Sequence, residues 1–143
     1  MLPIRKKNMI LYGVCITDAN SYNMDGIREL MQKAEIYEDF LSDMEGLVYD
    51  DADLLNWIEN YDSCGYYGLG ALLRDAIESE EGIILTIYDA AGIFLGICAD
   101  VPWAFSEKLR QISKSDFDAV LTKYIRKVTE EPLPIQLWSL PED

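Results

Sequence analysis

Two apolar runs, Ile83 to Tyr88 and Phe94 to Ala99, flank Asp89-Ala90-Ala91-Gly92-Ile93. Runs of this length joined by a short glycine-bearing segment predict an antiparallel hairpin. A third apolar run fills residues 9 to 17 and is broken by the polar cluster Asp18 to Asn23. Near the other end, Pro132 and Pro134 release the chain into Ile135 to Trp138, which reads as an edge strand because proline supplies no ladder donor. A sheet of about four strands, mostly antiparallel, is the consequence, and the segments between them must cover it.

Those segments carry helical periodicity. Ile27, Leu30, Ala34, Tyr37, Leu41 and Met44 recur at spacings of three and four, with Met31 beside them, and predict one long helix capped by Asn23 and stopped at Gly46. Leu54, Leu55, Ile58 and Tyr61 predict a short second helix with Asp50, Asp51 and Asp53 at its start and Trp57 on its rim. Gly65, Gly68 and Gly70 punctuate a turn before a third helix, buried through Leu69, Leu72, Leu73, Ala76 and Ile77 and ended by Gly82. After Pro102 takes Asp100 to Trp103 off the sheet, a helical turn is expected near Ser106 to Gln111. The last helix is expected to start at Ser115 with Asp118 completing a capping box, and to bury Phe117, Val120, Leu121, Tyr124, Ile125 and Val128. The order β-α-α-α-β-β-α-β describes an α+β fold, expected as a single domain over 1-143.

Charge is distributed unevenly along this chain. Between Ala34 and Leu73 stand ten carboxylates (Glu35, Glu38, Asp39, Asp43, Glu45, Asp50, Asp51, Asp53, Glu59 and Asp62) and no Lys or Arg, so most of the net charge of −14 sits in one region. On a continuous helix Glu35, Glu38, Asp39 and Asp43 would form an acidic rail opposite the apolar stripe, with Glu35/Asp39 and Asp39/Asp43 as unrelieved like-charge pairs at i,i+4. Such a field attracts basic surfaces and repels phosphate backbones, so direct nucleic-acid binding is not expected. Tyr66, Tyr67, Trp57 and Trp103 add aromatic area of the kind that anchors protein interfaces, while a basic groove for stacking single strands is missing from this region.

Several chemistries are closed off. Without histidine there is no His triad, imidazole metal ligand or usual general base near neutral pH. Cys15, Cys64 and Cys98 form an odd set without CxxC and read as thiols in a reducing, cytoplasmic setting. Cys64 has no His to activate it and stands among acids that disfavour a thiolate. The basic start Arg5-Lys6-Lys7 before an apolar run imitates a secretion signal, but no small-x-small cleavage pattern follows and a core strand is expected instead. No run approaches the ~20 apolar residues of a membrane span.

Three motifs invite a ligand. Asp50-Asp51-Ala52-Asp53 offers carboxylates for a hard cation such as Mg2+, although acidic residues at a helix start also complement its dipole. Asp18, Asn20, Tyr22, Met24, Gly26 and Glu29 fall on calcium-loop spacing, yet Tyr22 and Asn23 occupy places that need an oxygen ligand and the turn glycine. Gly65-Tyr66-Tyr67-Gly68-Leu69-Gly70 opens a helix but matches no nucleotide fingerprint and is better suited to close helix packing. No cofactor is expected.

In size and charge the chain resembles the small acidic inhibitors that phages and mobile elements use against restriction or CRISPR-type nucleases. That resemblance implies a nucleic-acid mimic occupying a Lys/Arg-lined groove. The sequence therefore points first to a non-catalytic protein docking on a basic protein surface, through Glu35, Glu38, Asp39, Asp43, Asp50, Asp51, Asp53, Trp57, Glu59, Asp62, Tyr66 and Tyr67. The alternatives are a small metal- or carboxylate-dependent hydrolase using Asp50 to Asp53, and an assembly or regulatory subunit binding through its aromatics.

Overall fold

In the computed structural model, which describes residues 8–63, 66–89, 92–99 and 113–141, the central strand β1 (Asn8–Cys15) runs antiparallel to both of its neighbours. A 3-10 turn, Ile16–Asp18, follows it. The hairpin expected from the two apolar runs is present as β4 (Thr86–Asp89) and β5 (Ile93–Ala99), and β6 (Gln136–Pro141) lies on the far side of β1, giving the order β4-β5-β1-β6. Strand bounds shift by one to three residues, β1 ending at Cys15 and not at residue 17, with the largest shifts at β4 and β6. β4 begins three residues after Ile83, and β6 extends to Pro141 because Asn8 to Gly13 pair along its whole length.

Alternation in β1 divides its side chains between two apolar faces, which is why the strand reads as a continuous apolar run. Tyr12 and Val14 join the core beneath the helices, with Leu95, Ile97 and Ile87. Leu11, Gly13 and Cys15 face the other way, where Phe94 touches both Tyr88 and Trp138 and the Trp138 indole donates to the Gly13 carbonyl at 2.9 Å. Gly13 stands directly opposite Gly96, and a Cβ on either would collide with the partner strand's backbone. Cys15 is buried and Cys98 half-buried; both thiols are free. Their pairing partners, Phe94 and Leu11, put them four β1 positions apart, about 13 Å, beyond disulfide reach.

The long helix expected from Asn23 to Gly46 is two helices, α1 (Met24–Lys33) and α2 (Tyr37–Met44). Asn23 caps the first as expected, its side chain accepting from the Gly26 amide at 3.3 Å. The break lies at Glu35, whose φ of 60° is left-handed. There the Glu35 amide donates to Gln32 and the Ile36 amide to Met31, the bond pair of a Schellman turn with Glu where Gly is usual. Beyond it Phe40 is the fully buried residue of α2, while Tyr37, Leu41 and Met44 pack around the core only partly buried.

α3 (Asp51–Glu59) is followed by a small antiparallel ribbon, β2 (Asp62–Ser63) and β3 (Tyr66–Tyr67), in place of a simple glycine turn. α4 (Gly68–Glu81) buries Leu72, Leu73, Ala76 and Ile77 as expected, and Gly82 ends it with a φ of 70°. α5 (Lys114–Val128) begins one residue before its expected cap. Ser113, not Ser115, accepts from the Asp116 amide at 3.0 Å, and Asp118 instead accepts from the Tyr12 hydroxyl at 2.6 Å and from Lys114 at 3.0 Å. α1 and α5 approach so closely that a Cβ on Gly26 would meet the Lys127 carbonyl. The expected turn at Ser106 to Gln111 and the exit at Asp100 to Trp103 lie outside the described residues.

Carboxylates outside the acidic block are matched with cations where α1, α4 and α5 meet. Lys33 bridges Glu29 at 3.5 Å and Glu80 at 3.2 Å, while Lys127 reaches Glu29 and Lys123 reaches Glu81, each at 3.2 Å. The buried Tyr124 hydroxyl donates to Glu80 and Glu81. Burial first, and Glu80 second, push the Tyr124 pKa up; Tyr124 in turn is the main reason that Glu80 is pulled down, with Lys33 assisting.

Two outcomes follow. Glu35→Gly should raise the Tm by about 2 to 4 °C, because glycine relieves a left-handed position, whereas in a continuous helix it would cost about 1 kcal/mol; thermal unfolding separates these. A carboxylate lowered by folding stabilises fully above its ordinary value of 4.5 and loses that contribution as pH falls through the lowered one. Melting profiles from pH 7 to 3 should therefore show the wild type's advantage over Tyr124→Phe shrinking as pH drops through the region below 4.5.

Candidate functional site

α2 and α3 bring part of the acidic block together. Asp39 and Asp43, four residues apart, share one face of α2; Asp53, Asn56, Trp57 and Asn60 share one face of α3 and its end. These faces line an open groove of about 470 Å3, closed at its sides by Ile36, Met44 and Tyr61. The groove carries three carboxylates and no Lys or Arg among its described lining.

Trp57 organises the groove. Its indole N–H donates to the Asp43 carboxylate at 2.6 Å, its ring meets the buried Phe40 edge-on at 5.7 Å, and its other side stacks on Tyr61 at 6.4 Å. Tyr61 donates to Asp75 on α4 at 3.2 Å. On the far side of Phe40 lies Tyr49, edge-on at 4.7 Å, whose hydroxyl pairs with that of Tyr37 at 2.6 Å. The Tyr37 pKa is raised, first by that bond and then by burial. The half-exposed indole is thus locked in place and oriented by a charged acceptor.

The other carboxylates singled out in the sequence go elsewhere. Glu35 sits in the Schellman turn and lines a separate depression with Lys33, Asp75 and Glu80, so it makes no continuous rail with Asp39 and Asp43. Of the two like-charge pairs expected, only Asp39/Asp43 exists, and the Trp57 indole relieves Asp43. Glu38 and Glu59 are exposed away from the groove lining. Asp62, Tyr66 and Tyr67 are placed by backbone on the β2–β3 ribbon, Asp62 opposite Tyr67. Cys64, Gly65 and Trp103 lie outside the described residues.

The Asp50 to Asp53 cluster is occupied by the helix start itself. Asp50 accepts from the Asp53 amide at 2.9 Å and Asp53 from the Asp50 amide at 3.1 Å, a reciprocal capping box built from two aspartates. Asp51 pairs with Arg28 of α1 at 2.8 Å, making it the one member of the acidic block that meets a cation among the described residues. No group of three or more Asp, Glu, Cys or His among those residues is placed to hold a metal ion.

The segment on calcium-loop spacing is a helix entry: Asn23 caps α1, Glu29 is paired with Lys33 and Lys127, and the Asn20 and Ser21 amides donate to Glu131, lowering its pKa. Two groove residues, Asn56 and Asn60, carry neither charge nor an aromatic ring and so no pattern of either kind marks them in the sequence. Their spacing from Asp53, three and seven, was the available signal. No protein-family model, curated protein or solved structure matches this chain.

Asp50→Ala should cost about 1 kcal/mol in urea or thermal unfolding by removing the cap. Titrating wild type with Mg2+ or Mn2+ should give no saturable rise in Tm, whereas a metal held by Asp50 and Asp51 would stabilise by mass action and lose that effect in Asp51→Asn.

Proposed function

We propose that this protein is a non-catalytic acidic interaction protein that docks the α2–α3 groove on a basic protein surface. The observation that carries the proposal is the convergence of Asp39, Asp43 and Asp53 beside a fixed, half-exposed Trp57 with no cation in the described lining. Where α1, α4 and α5 meet, Glu29, Glu80 and Glu81 are paired with Lys33, Lys123 and Lys127, whereas the groove's three carboxylates have no cation in the described lining. A Lys or Arg side chain entering there meets carboxylate acceptors beside a half-exposed indole, and a guanidinium can engage such acceptors through paired N–H bonds.

Mimicry of a nucleic-acid backbone draws on a long, regular row of charges. That row is interrupted at Glu35, which supports recognition of separate basic side chains over imitation of a phosphate ladder. Hydrolysis through Asp50 to Asp53 receives no comparable support, because capping and Arg28 already engage all three carboxylates.

A labelled peptide rich in Lys and Arg, followed by fluorescence anisotropy, tests the proposal. Its affinity should fall steeply between low and moderate salt, as expected for partly exposed charges. Asp39→Lys with Asp43→Lys should weaken it by about tenfold or more while circular dichroism stays unchanged. The control Glu78→Lys with Glu130→Lys makes the same change in net charge at exposed positions outside the groove. Equal losses in the two double variants would remove the groove from the mechanism and leave only non-specific attraction.

A further inference from the structure

We infer that the Leu47-Val48 tip of the α2–α3 connection is a hydrophobic anchor for the same partner, which presents an apolar patch flanked by Lys and Arg. The inference rests on the groove's proposed role and adds the chemistry of the partner. Leu47 is 71% exposed and Val48 99% exposed, adjacent in a stretch of chain that ends at the groove's rim residue Met44. Among the described residues the other large exposed apolar side chains are Ile84 and Leu137, and neither has an exposed apolar neighbour beside it in sequence.

The tip is held from both sides. Glu45 and Gly46 take left-handed φ values of 49° and 77°, and the Leu47 amide donates to the Met44 carbonyl at 2.8 Å. After Val48 the chain is pinned at once: Tyr49 bonds Tyr37 and packs on Phe40, and Asp50 caps α3. Connections of this length are ordinarily filled by polar turn formers, so two aliphatics held out in water gain stabilisation only when something covers them.

Charge selects the occupant. The tip is bracketed by exposed Asp43 and Glu45 before it and by exposed Asp50, Asp51 and Asp53 after it. A second copy of the chain would press the same carboxylates together, whereas a patch flanked by cations complements both the tip and the groove. Such a patch is the chemistry of a basic amphipathic helix or an equivalent surface.

The test uses two synthetic peptides of equal length and lysine content, one with Leu at i, i+3, i+4, i+7 spacing and Lys on the opposite helical face, and one with Ser in place of Leu. Wild-type protein should bind the Lys/Leu peptide about tenfold more tightly than the Lys/Ser peptide, the effect of partly burying two aliphatic side chains. Leu47→Ser with Val48→Ser should bind both peptides at the Lys/Ser level, and Asp39→Lys with Asp43→Lys should weaken both. If the serine variant keeps the tenfold preference, the anchor is not this tip; if wild type shows no preference yet binds both, the anchor fails and the groove stands. Failure to bind either peptide removes both proposals. Sedimentation of wild type and serine variant closes the remaining route, since self-association lost with the tip would assign it to a second copy and overturn the basic partner.

Discussion

The left-handed turn at Glu35 decides where the acidic surface faces. On an unbroken helix Phe40 would lie about 140° around the axis from Ile27 and about 80° from Leu30, at the edge of the core-facing stripe and not at its centre. Satisfying the end of α1 through the Gln32 and Met31 carbonyls redirects the chain instead, and α2 then seats Phe40 at full burial. Everything in the groove hangs on that ring: Trp57 and Tyr49 both meet it edge-on, Trp57 positions Asp43, and Tyr49 fixes the loop before α3. A strained residue at the surface is offset by an aromatic cluster behind it, since burial of one large aromatic outweighs the ~1 to 2 kcal/mol of a left-handed L-residue.

Electrostatics divides the described molecule into two halves with different chemistry. Where α1, α4 and α5 meet, Glu29, Glu80 and Glu81 are interleaved with lysines and a tyrosine hydroxyl, an arrangement that serves the fold and softens in acid. Across α2 and α3 only Asp51 has a cation, Arg28, and that pair ties α3 to α1. Of the groove carboxylates, Asp43 accepts from an indole N–H and Asp53 from a helix-start amide, bonds that hold geometry without cancelling the field.

Much of this was legible in the sequence, and the exceptions have physical causes. The hairpin, the central strand, the Asn23 cap and the buried face of α4 follow from periodicity and capping chemistry, which are local. The division of the first helix was not, because a spacing of three and four continues across Glu35 as if nothing intervened, and glutamate is a good helix former with no turn signature. Phe40 is the available clue, a large aromatic at the edge of the apolar stripe, three residues after Tyr37, that a continuous helix leaves without a central place in the core. Asp39, Asp43, Asp53 and Trp57 were singled out from charge and composition, but their convergence depends on α2 and α3 packing around Phe40, a contact no single segment encodes. The Asp50 to Asp53 cluster was misleading as a ligand site for the opposite reason: its bonds are entirely local, made within its own first turn.

Groove and tip would divide the work of binding between them. Exposed carboxylates act at a distance, raising the rate of encounter with a basic surface and making that rate sensitive to salt, yet each exposed pair adds little to the lifetime of the complex. Apolar contact does the reverse, acting only after docking and setting how long the partner stays, which is where most affinity differences arise. A protein with charge alone would meet many basic surfaces and hold none. Two aliphatic residues near an acidic groove, on a loop pinned to the same aromatic cluster, would couple attraction to selection, because such a partner would have to satisfy both chemistries in one orientation.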